Sequence, residues 1–570
     1  MKTHILSESS PVERRSPVPP IWFWVAALAV AALWFLTLGM RHLLSSDEGR
    51  YAEIAREMFA SDDWVTIRYN GLKYFEKPPL HLWMTALSYE AFGVGEWQTR
   101  LWGALSGAGA LLMTAGAARR WYGNTVGLLT GLVLLAAPTW NLGSHFNSLD
   151  IGVSSAMAVA LAAVLMAQHP AASPATRRQW MWAAWAAMAL AVLTKGLIGV
   201  VLPGLVLIAY TALARDWALW RRLHIASGTF FFLALTAPWF VLVSMRNPEF
   251  PQFFFIHEHL QRYTSGIHRR GAPLWYFVPQ LLAGWLPWLG LSAGMARVVA
   301  ADRHAPGFKP TLLLASWAVV IFVFFSLSNS KLPGYILPIF PALAVLGALA
   351  LERLTVRAWR YQLNAMLALA ALGLLASPLV PRLGPTEAAQ SQFAHYALWL
   401  AAAWALLLLG LAAARWQAHG GDTHAEKLHS ITTAALAFFI ATTLSILGHE
   451  TLGRPASGAD LRPAVNAVLT PGMPLYGVRT LDHTLPFYLQ HTLVMVEEPD
   501  ELEFGTHQEP QKWLPTLAVF RQVWRAGPRA LAVMSPDTFA ILKSEALPMT
   551  LVARDETRVV VANFASGTAR

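Results

Sequence analysis

Between Ser45 and Pro79 the chain carries a dense polar block, S-S-D-E-G-R-Y-A-E-I-A-R-E-M-F-A and then D-D-W-V-T-I-R-Y-N-G-L-K-Y-F-E-K-P-P, directly after a long apolar run. The carboxylates Asp47 and Glu48 and the cations Arg50 and Lys77 therefore fall at or near a membrane face. Ionisable groups close to hydrocarbon are costly unless solvated or paired, so their placement calls for a reason. A reaction between membrane-embedded lipids would supply one. Ser45 followed by Glu48 is a capping-box pattern that predicts a short helix through Ala60. Tyr51, Ile54, Ala55 and Met58 recur at helical spacing, which predicts an apolar face lying on the bilayer surface. Asp47 then sits at the helix N-terminus, where the macrodipole favours its ionised form. The same pattern also fits a capped interfacial helix whose acids only solvate it.

A second polar stretch, I-H-E-H-L-Q-R-Y-T-S-G-I-H-R-R-G-A-P, holds His257, His259, Arg262, His268, Arg269 and Arg270. A basic cluster on this loop suits anionic ligands, and phosphates are the obvious ones at a membrane surface. General anchoring to lipid headgroups is the alternative. Asp150, Lys195 and Lys331 stand alone at the ends of apolar runs; Asp150 and Lys195 either pair structurally or serve the same chemistry.

The elements that position these residues are membrane helices. Of 570 residues, 55% are hydrophobic and only 13% charged, about half the charged share of a soluble protein. The 25 tryptophans suit interfacial anchoring, and with no cysteine neither disulfides nor thiol chemistry contribute. The formal charge of +10 reads first as cytoplasmic loops rather than a nucleic-acid surface.

The run from Ile21 to Met40 is long enough to span and reads as a signal anchor with a cytoplasmic N-terminus. Leu80 to Phe92 is too short to cross and reads as an interfacial or re-entrant helix. Later spans are expected near 101–118, 124–140, 150–168, 180–194, 196–214, 225–246, 274–296, 311–329, 333–351, 361–380, 395–414 and 429–448, giving about thirteen in all. This parity places Arg119 and Arg120, Arg177 and Arg178, Arg221 and Arg222, and Arg353 with Arg357 inside, as the positive-inside rule asks. It places the first loop (41–100), Asp150, Lys195, the basic loop (247–273) and Lys331 with Tyr335 outside. The catalytic membrane unit is thus 1–450. From 451 to 570 the composition is that of a soluble α/β domain, with strands expected at Met473–Val478, Thr492–Glu497, Ala530–Met534 and Arg558–Ala562. No Walker motif, GxGxxG or metal-finger spacing occurs there, so an activated donor has to come from the membrane itself.

D-E-G-R-Y-A-E-I-A-R-E-M, Y-F-E-K-P-P-L, H-E-H-L-Q-R-Y, P-L-W-Y-F-V-P and S-K-L-P-G-Y-I-L-P together resemble the polyprenyl-phosphate-dependent GT-C glycosyltransferases related to protein O-mannosyltransferases. Most closely they resemble the lipid A 4-amino-4-deoxy-L-arabinose transferases. The resemblance covers about 21–450 and is weaker beyond. It implies an α-helical GT-C fold in a bacterial inner membrane, with active site and C-terminal domain periplasmic. It also implies inverting transfer of 4-amino-4-deoxy-L-arabinose from undecaprenyl phosphate to a lipid A phosphate, and resistance to polymyxin and cationic peptides. The implied partners are that donor, lipid A and membrane lipids, with no nucleic acid, for a chain acting as a monomer. The family's catalytic acid falls on Asp47, its second outer acid on Asp150, and its Tyr-Phe-Glu-Lys on Tyr74, Phe75, Glu76 and Lys77. Gly334 departs from the Thr or other residue expected before Tyr335.

The leaving polyprenyl phosphate needs its charge neutralised, for which Lys77 is the first candidate, followed by Arg50, Arg262, Arg270, Lys195 and Lys331. Tyr51, Tyr263 and Tyr335 are candidates for the sugar or lipid groove. A phosphate acceptor has a second pKa of about 6 and needs little general base, so Asp47 orients the acceptor or stabilises the sugar cation. A protein hydroxyl would instead need Asp47 as a base. No cofactor is required; Glu76 with His257 is a candidate site for a divalent ion such as zinc, although H-E-H lacks zincin spacing. Alternatives are a GT-C transferase of another sugar (mannose, galactosamine) onto protein or lipid, and a transporter of a polyprenyl-linked sugar.

Overall fold

The computed structural model describes residues 21–261, 271–303, 305–419 and 423–565. The chain starts with α1 (Ile21–Leu36), followed by α2 (Asp47–Ser61), a hairpin of β1 (Arg68–Tyr69) and β2 (Leu72–Lys73), and α3 (Leu80–Phe92). Next come α4 (Glu96–Tyr122), the bent pair α5 (Asn124–Leu135) and α6 (Pro138–Ser144), α7 (Leu149–Gln168) and α8 (Pro174–Lys195). α3, with 13 residues, is a helix too short to cross a bilayer.

Among the described residues eight helices are long and apolar enough to cross a membrane, or nine when the pair bent by 69° counts as one span. The expected count of about thirteen is higher than length and apolarity support. Trp24–Gly39 and Ile198–Ala214 are apolar but short. The stretch expected as one span at 274–296 is broken into Phe277–Gly284, a 3-10 turn Leu286–Leu291 and Ser292–Asp302. Pro287 lies in the turn after that break; it has no N–H to continue a helix and disfavours helical geometry in the residue before it. Fully buried tryptophans hold the helices together: Trp288 donates to the Val133 carbonyl at 3.0 Å and Trp359 to Ser430 at 2.8 Å.

The C-terminal domain holds a five-stranded sheet of β3 (Leu475–Val478), β4 (Val494–Val496), β5 (Leu531–Met534), β6 (Thr550–Arg554) and β7 (Val559–Ala562), in the order β4-β3-β5-β7-β6. β4, β3 and β5 run parallel, and β7 and β6 close the sheet antiparallel. Alternation sends Leu531 and Val533 to one face and Ala532 and Met534 to the other, and both faces are covered by apolar clusters. The stretch 451–472, ahead of the first strand, is largely helical, with helices at Glu450–Ser457 and Arg462–Asn466.

α2 departs most from its expected setting. Its apolar residues Tyr51, Ile54, Ala55 and Met58 lie in a core shared with Phe487, Tyr488, Met495 and Leu502 of the C-terminal domain. The helix is therefore sandwiched under that domain, and its apolar face is covered by protein rather than by the bilayer. The capping box is replaced as well. Ser46, at φ 68, precedes the helix with no side-chain cap, and Glu48 accepts from the Leu44 N–H at 3.0 Å.

Candidate active site

Two adjacent acids at the start of α2 point to opposite fates. Glu48 is buried, accepting from Arg100 Nε at 2.7 Å and Nη2 at 3.0 Å and from the Asn147 N–H at 3.0 Å. Burial pushes its carboxyl up, but the Arg100 charge and hydrogen bonds outweigh that and hold it at about 2. Arg100 also donates to the carbonyls of Leu38, Arg41 and His42, so this pair fastens the chain between α1 and α2. Asp47 is half exposed and opens into a cavity of about 820 Å³.

That cavity gathers residues from several parts of the chain, the stretch of Phe253, His257 and Glu258 among them. α2 contributes Asp47, Arg50 and Tyr51, and the segment after the hairpin contributes Glu76 and Lys77. The hairpin turns at Asn70-Gly71, both with positive φ (49 and 74), the two-residue turn whose twist matches paired strands. Its turn N–H groups donate to the buried Glu57 at 2.6 and 2.8 Å, locking the hairpin onto α2. Lys77 Nζ then stands 3.4 Å from Glu76 Oε2 and 3.8 Å from Glu258 Oε2.

The third group comes from the ends of α7 and α8 and the turn after 328. Ser148 caps α7 by accepting from the Asp150 N–H at 3.0 Å, which fixes Asp150 in the first turn. Lys195, the last residue of α8, forms an ion pair with Asp150 and lies 4.6 Å from the Tyr335 ring centroid. The fourth group is Asp500, Glu501, Glu503, Phe504 and His507 of the C-terminal domain. Glu501 Oε1 is 2.7 Å from Arg50 Nε, and Arg50 Nη1 is 3.6 Å from Asp47 Oδ1. Burial, with Glu76 and Asp500 nearby, pushes the Glu501 carboxyl up to about 7 against the pull of Arg50 and Lys77.

Of the residues singled out in the sequence, Asp47, Arg50, Tyr51, Glu76, Lys77, Asp150, Lys195, His257 and Tyr335 line this one cavity. Tyr74 is buried in the core beside it, edge-on to Tyr69 at 5.8 Å. Lys331 is turned away, donating to the carbonyls of Ala272 at 3.0 Å and Ser328 at 2.6 Å, so its charge fastens the chain there. Arg262, Tyr263, His268, Arg269 and Arg270 lie outside the described residues, and of His259 only the backbone is described. His257 is stacked on Phe253 with ring centroids 5.2 Å apart. Among the described residues no three His, Asp or Glu side chains converge to hold a metal ion, and Lys77 already faces the carboxylates of Glu76 and Glu258.

The sequence reading missed the wall from Asp500 to His507. It lies in a stretch of ordinary soluble composition, more than 400 positions from Asp47, with no motif to mark it. Asn70-Gly71 was a legible hairpin signal that went unused.

Residues 461–563 match the family described as aminoarabinose transferase C-terminal domain, and 76–242 match dolichyl-phosphate-mannose-protein mannosyltransferase. The undecaprenyl phosphate-alpha-4-amino-4-deoxy-L-arabinose arabinosyl transferase of Aeromonas salmonicida is 33% identical over 403 residues, covering 67% of this chain and 71% of that protein. The protein of the same name from Shewanella sediminis is 34% identical, covering 57% of this chain and 58% of its own. The crystal structure of ArnT from Cupriavidus metallidurans bound to undecaprenyl phosphate superposes with a TM-score of 0.92 at 53% identity, over 96% of this chain and 98% of that one. Its apo form gives a TM-score of 0.90 at 52% identity, over 95% and 98%. With membrane helices, C-terminal sheet and a shared cavity all in place, this chain belongs to the undecaprenyl phosphate-aminoarabinose arabinosyl transferases, glycosyltransferases with the GT-C fold.

Proposed function

We propose that the chain transfers 4-amino-4-deoxy-L-arabinose from undecaprenyl phosphate to a phosphate of lipid A, on the periplasmic side of a bacterial inner membrane, and so lowers sensitivity to polymyxin and cationic peptides. The observation that carries this reading is the convergence of Asp47, Lys77, Asp150, Lys195 and Tyr335 on one cavity, in a chain of this family. Placing arginine-rich short loops inside puts this cavity and the C-terminal domain outside.

The bond from the anomeric carbon to the undecaprenyl phosphate oxygen breaks while one to a lipid A phosphate oxygen forms from the opposite face. The departing phosphate takes the bonding electrons, and in this reading Lys77, which lines the cavity, neutralises it as a preorganised cation in a partly dry site. Lys195 is committed to Asp150 and orders that carboxylate. The acceptor phosphate, with a second pKa of about 6, is already an anion and gives up no proton that a base must take. Asp47 therefore serves by lying beside the sugar as positive charge develops at its anomeric carbon, or by orienting the acceptor. Among the described residues lining the cavity carboxylates outnumber cations, which suits a sugar bearing an ammonium group. In this proposal the chain acts as a monomer.

Purified protein given undecaprenyl phosphate-aminoarabinose and lipid A is expected to yield aminopentosyl lipid A and free undecaprenyl phosphate. Product from a mannosyl donor but none from aminoarabinose would replace the sugar in this reading.

A further inference from the structure

Arg50 looks in sequence like a phosphate ligand, but in the fold it is held between two carboxylates. Its Nε is 2.7 Å from Glu501 Oε1 and its Nη1 is 3.6 Å from Asp47 Oδ1. The Arg50 side chain is only 9% exposed and that of Glu501 17%, whereas Asp47 is 47% exposed toward the cavity. The shorter contact thus goes to the C-terminal domain and the longer one to the carboxylate at the reaction centre.

The docking around this pair is close and fixed. The His483 backbone of the C-terminal domain presses on Gly49, leaving no room for a Cβ. His483 Nδ1 is 2.8 Å from the Tyr69 hydroxyl and 3.9 Å from Glu501 Oε1. Tyr488 accepts from the Leu43 N–H at 2.7 Å, and Asn70 accepts from the Leu493 N–H at 2.9 Å. Glu501 is therefore carried on a rigid surface against the first turn of α2.

A buried guanidinium that loses one carboxylate turns to the nearest other, since an unpaired charge there is costly. For Arg50 that other carboxylate is Asp47.

We infer that Glu501 is a positioning residue for the transfer: by engaging Arg50 it keeps the guanidinium from closing on Asp47, so the C-terminal domain leaves that carboxylate available to substrate. Arg50 is then a spacer between the two acids, and donor phosphate binding falls to other cations. The inference rests on Asp47 lying at the reaction centre, as the proposed function has it.

The test is steady-state transfer by the purified full chain from undecaprenyl phosphate-aminoarabinose to lipid A, comparing wild type with Glu501→Gln, Glu501→Asp and the double variant Arg50→Gln with Glu501→Gln. Glu501→Gln is expected to lower kcat roughly tenfold or more with donor KM within about twofold, because Lys77, the proposed phosphate-binding cation, is untouched while the carboxylate at the centre is captured. Glu501→Asp is expected to retain most of kcat. The double variant, with no guanidinium to close on Asp47, is expected to recover kcat above Glu501→Gln alone. A Glu501→Gln enzyme with wild-type kcat, or a double variant slower than Glu501→Gln, overturns the inference. So does failure of both Glu501→Gln and Glu501→Asp to fold, which would assign Glu501 to domain attachment alone. A wild type that transfers nothing removes the proposed function itself, and this inference with it.

Discussion

Gly334 lies against Asp150 so closely that a Cβ on it would stand 2.6 Å from Asp150 Oδ2 and 2.9 Å from Cγ. The glycine that looked like a minor departure in the S-K-L-P-G-Y motif is what lets the turn carrying Tyr335 close over the Asp150–Lys195 pair. Gly334→Ala is expected to push the Asp150 carboxylate off Lys195 and cut kcat by about tenfold or more while the chain still folds. Gly334→Thr, with a larger side chain, is expected to do worse. Wild-type turnover in both would show that this approach does not position Asp150.

Glu48 and Arg100 form a buried, fully bonded pair, so Glu48→Gln leaves a guanidinium uncompensated. Breaking such a pair costs about 3–5 kcal/mol, which is expected as a marked fall in thermal stability in detergent with little protein recovered. Because the folded carboxyl is held at about 2, below its ordinary value, its stabilisation is present above the usual carboxylate range and lost as pH falls toward that value. Melting temperature against pH from 6 down to 3 is expected to fall for the wild type, more steeply than for Glu48→Gln. Parallel curves would remove Glu48 as a cause of the acid sensitivity.

Lys77→Ala is expected to reduce kcat by about a hundredfold or more, since it removes the cation proposed to neutralise the leaving phosphate. Lys77→Arg is expected to recover part of that, keeping the charge with a different donor geometry. Donor KM is expected to change less than kcat if neutralisation matters most in the transition state. A change confined to KM would make Lys77 a binding group only.

Among the described residues His257 and Glu76 share the cavity without a third His, Asp or Glu converging on them, and Lys77 supplies positive charge beside Glu76. Dialysis against a chelator is expected to leave transfer unchanged, and His257→Ala is expected to keep more than about half of wild-type kcat; a catalytic metal would typically be worth several kcal/mol of barrier. Loss of activity on chelation, restored by zinc, would overturn this.

Why some of this was legible in the sequence and some was not follows from where charge is expensive. Asp47, Lys77, Asp150 and Lys195 stood out because they interrupt or end apolar runs, where an ion needs a purpose. Glu48 carries the same signal as Asp47, and only the fold separates them, by burying one against Arg100. Lys331 belonged to the motif, yet its ammonium is spent on two carbonyls, a choice set by the turn around it. Glu501 was invisible: an acid in a soluble stretch costs nothing and announces nothing until the sheet docks it on Arg50. α2 was read as lying on lipid because its apolar spacing is the same whether lipid or the C-terminal domain covers it. β6 went unread because it is an edge strand whose exposure is mixed rather than alternating.

In the proposed reaction this cavity attaches an aminopentose to lipid A through a site containing Asp47. The most direct measurement is mass spectrometry of lipid A from cells that make the donor but lack their own transferase, expressing either this chain or its Asp47→Asn variant at equal membrane levels. The expected result is lipid A carrying an added aminopentose with the wild-type chain and none with Asp47→Asn. Unmodified lipid A from both, or equal modification by both, would contradict the account.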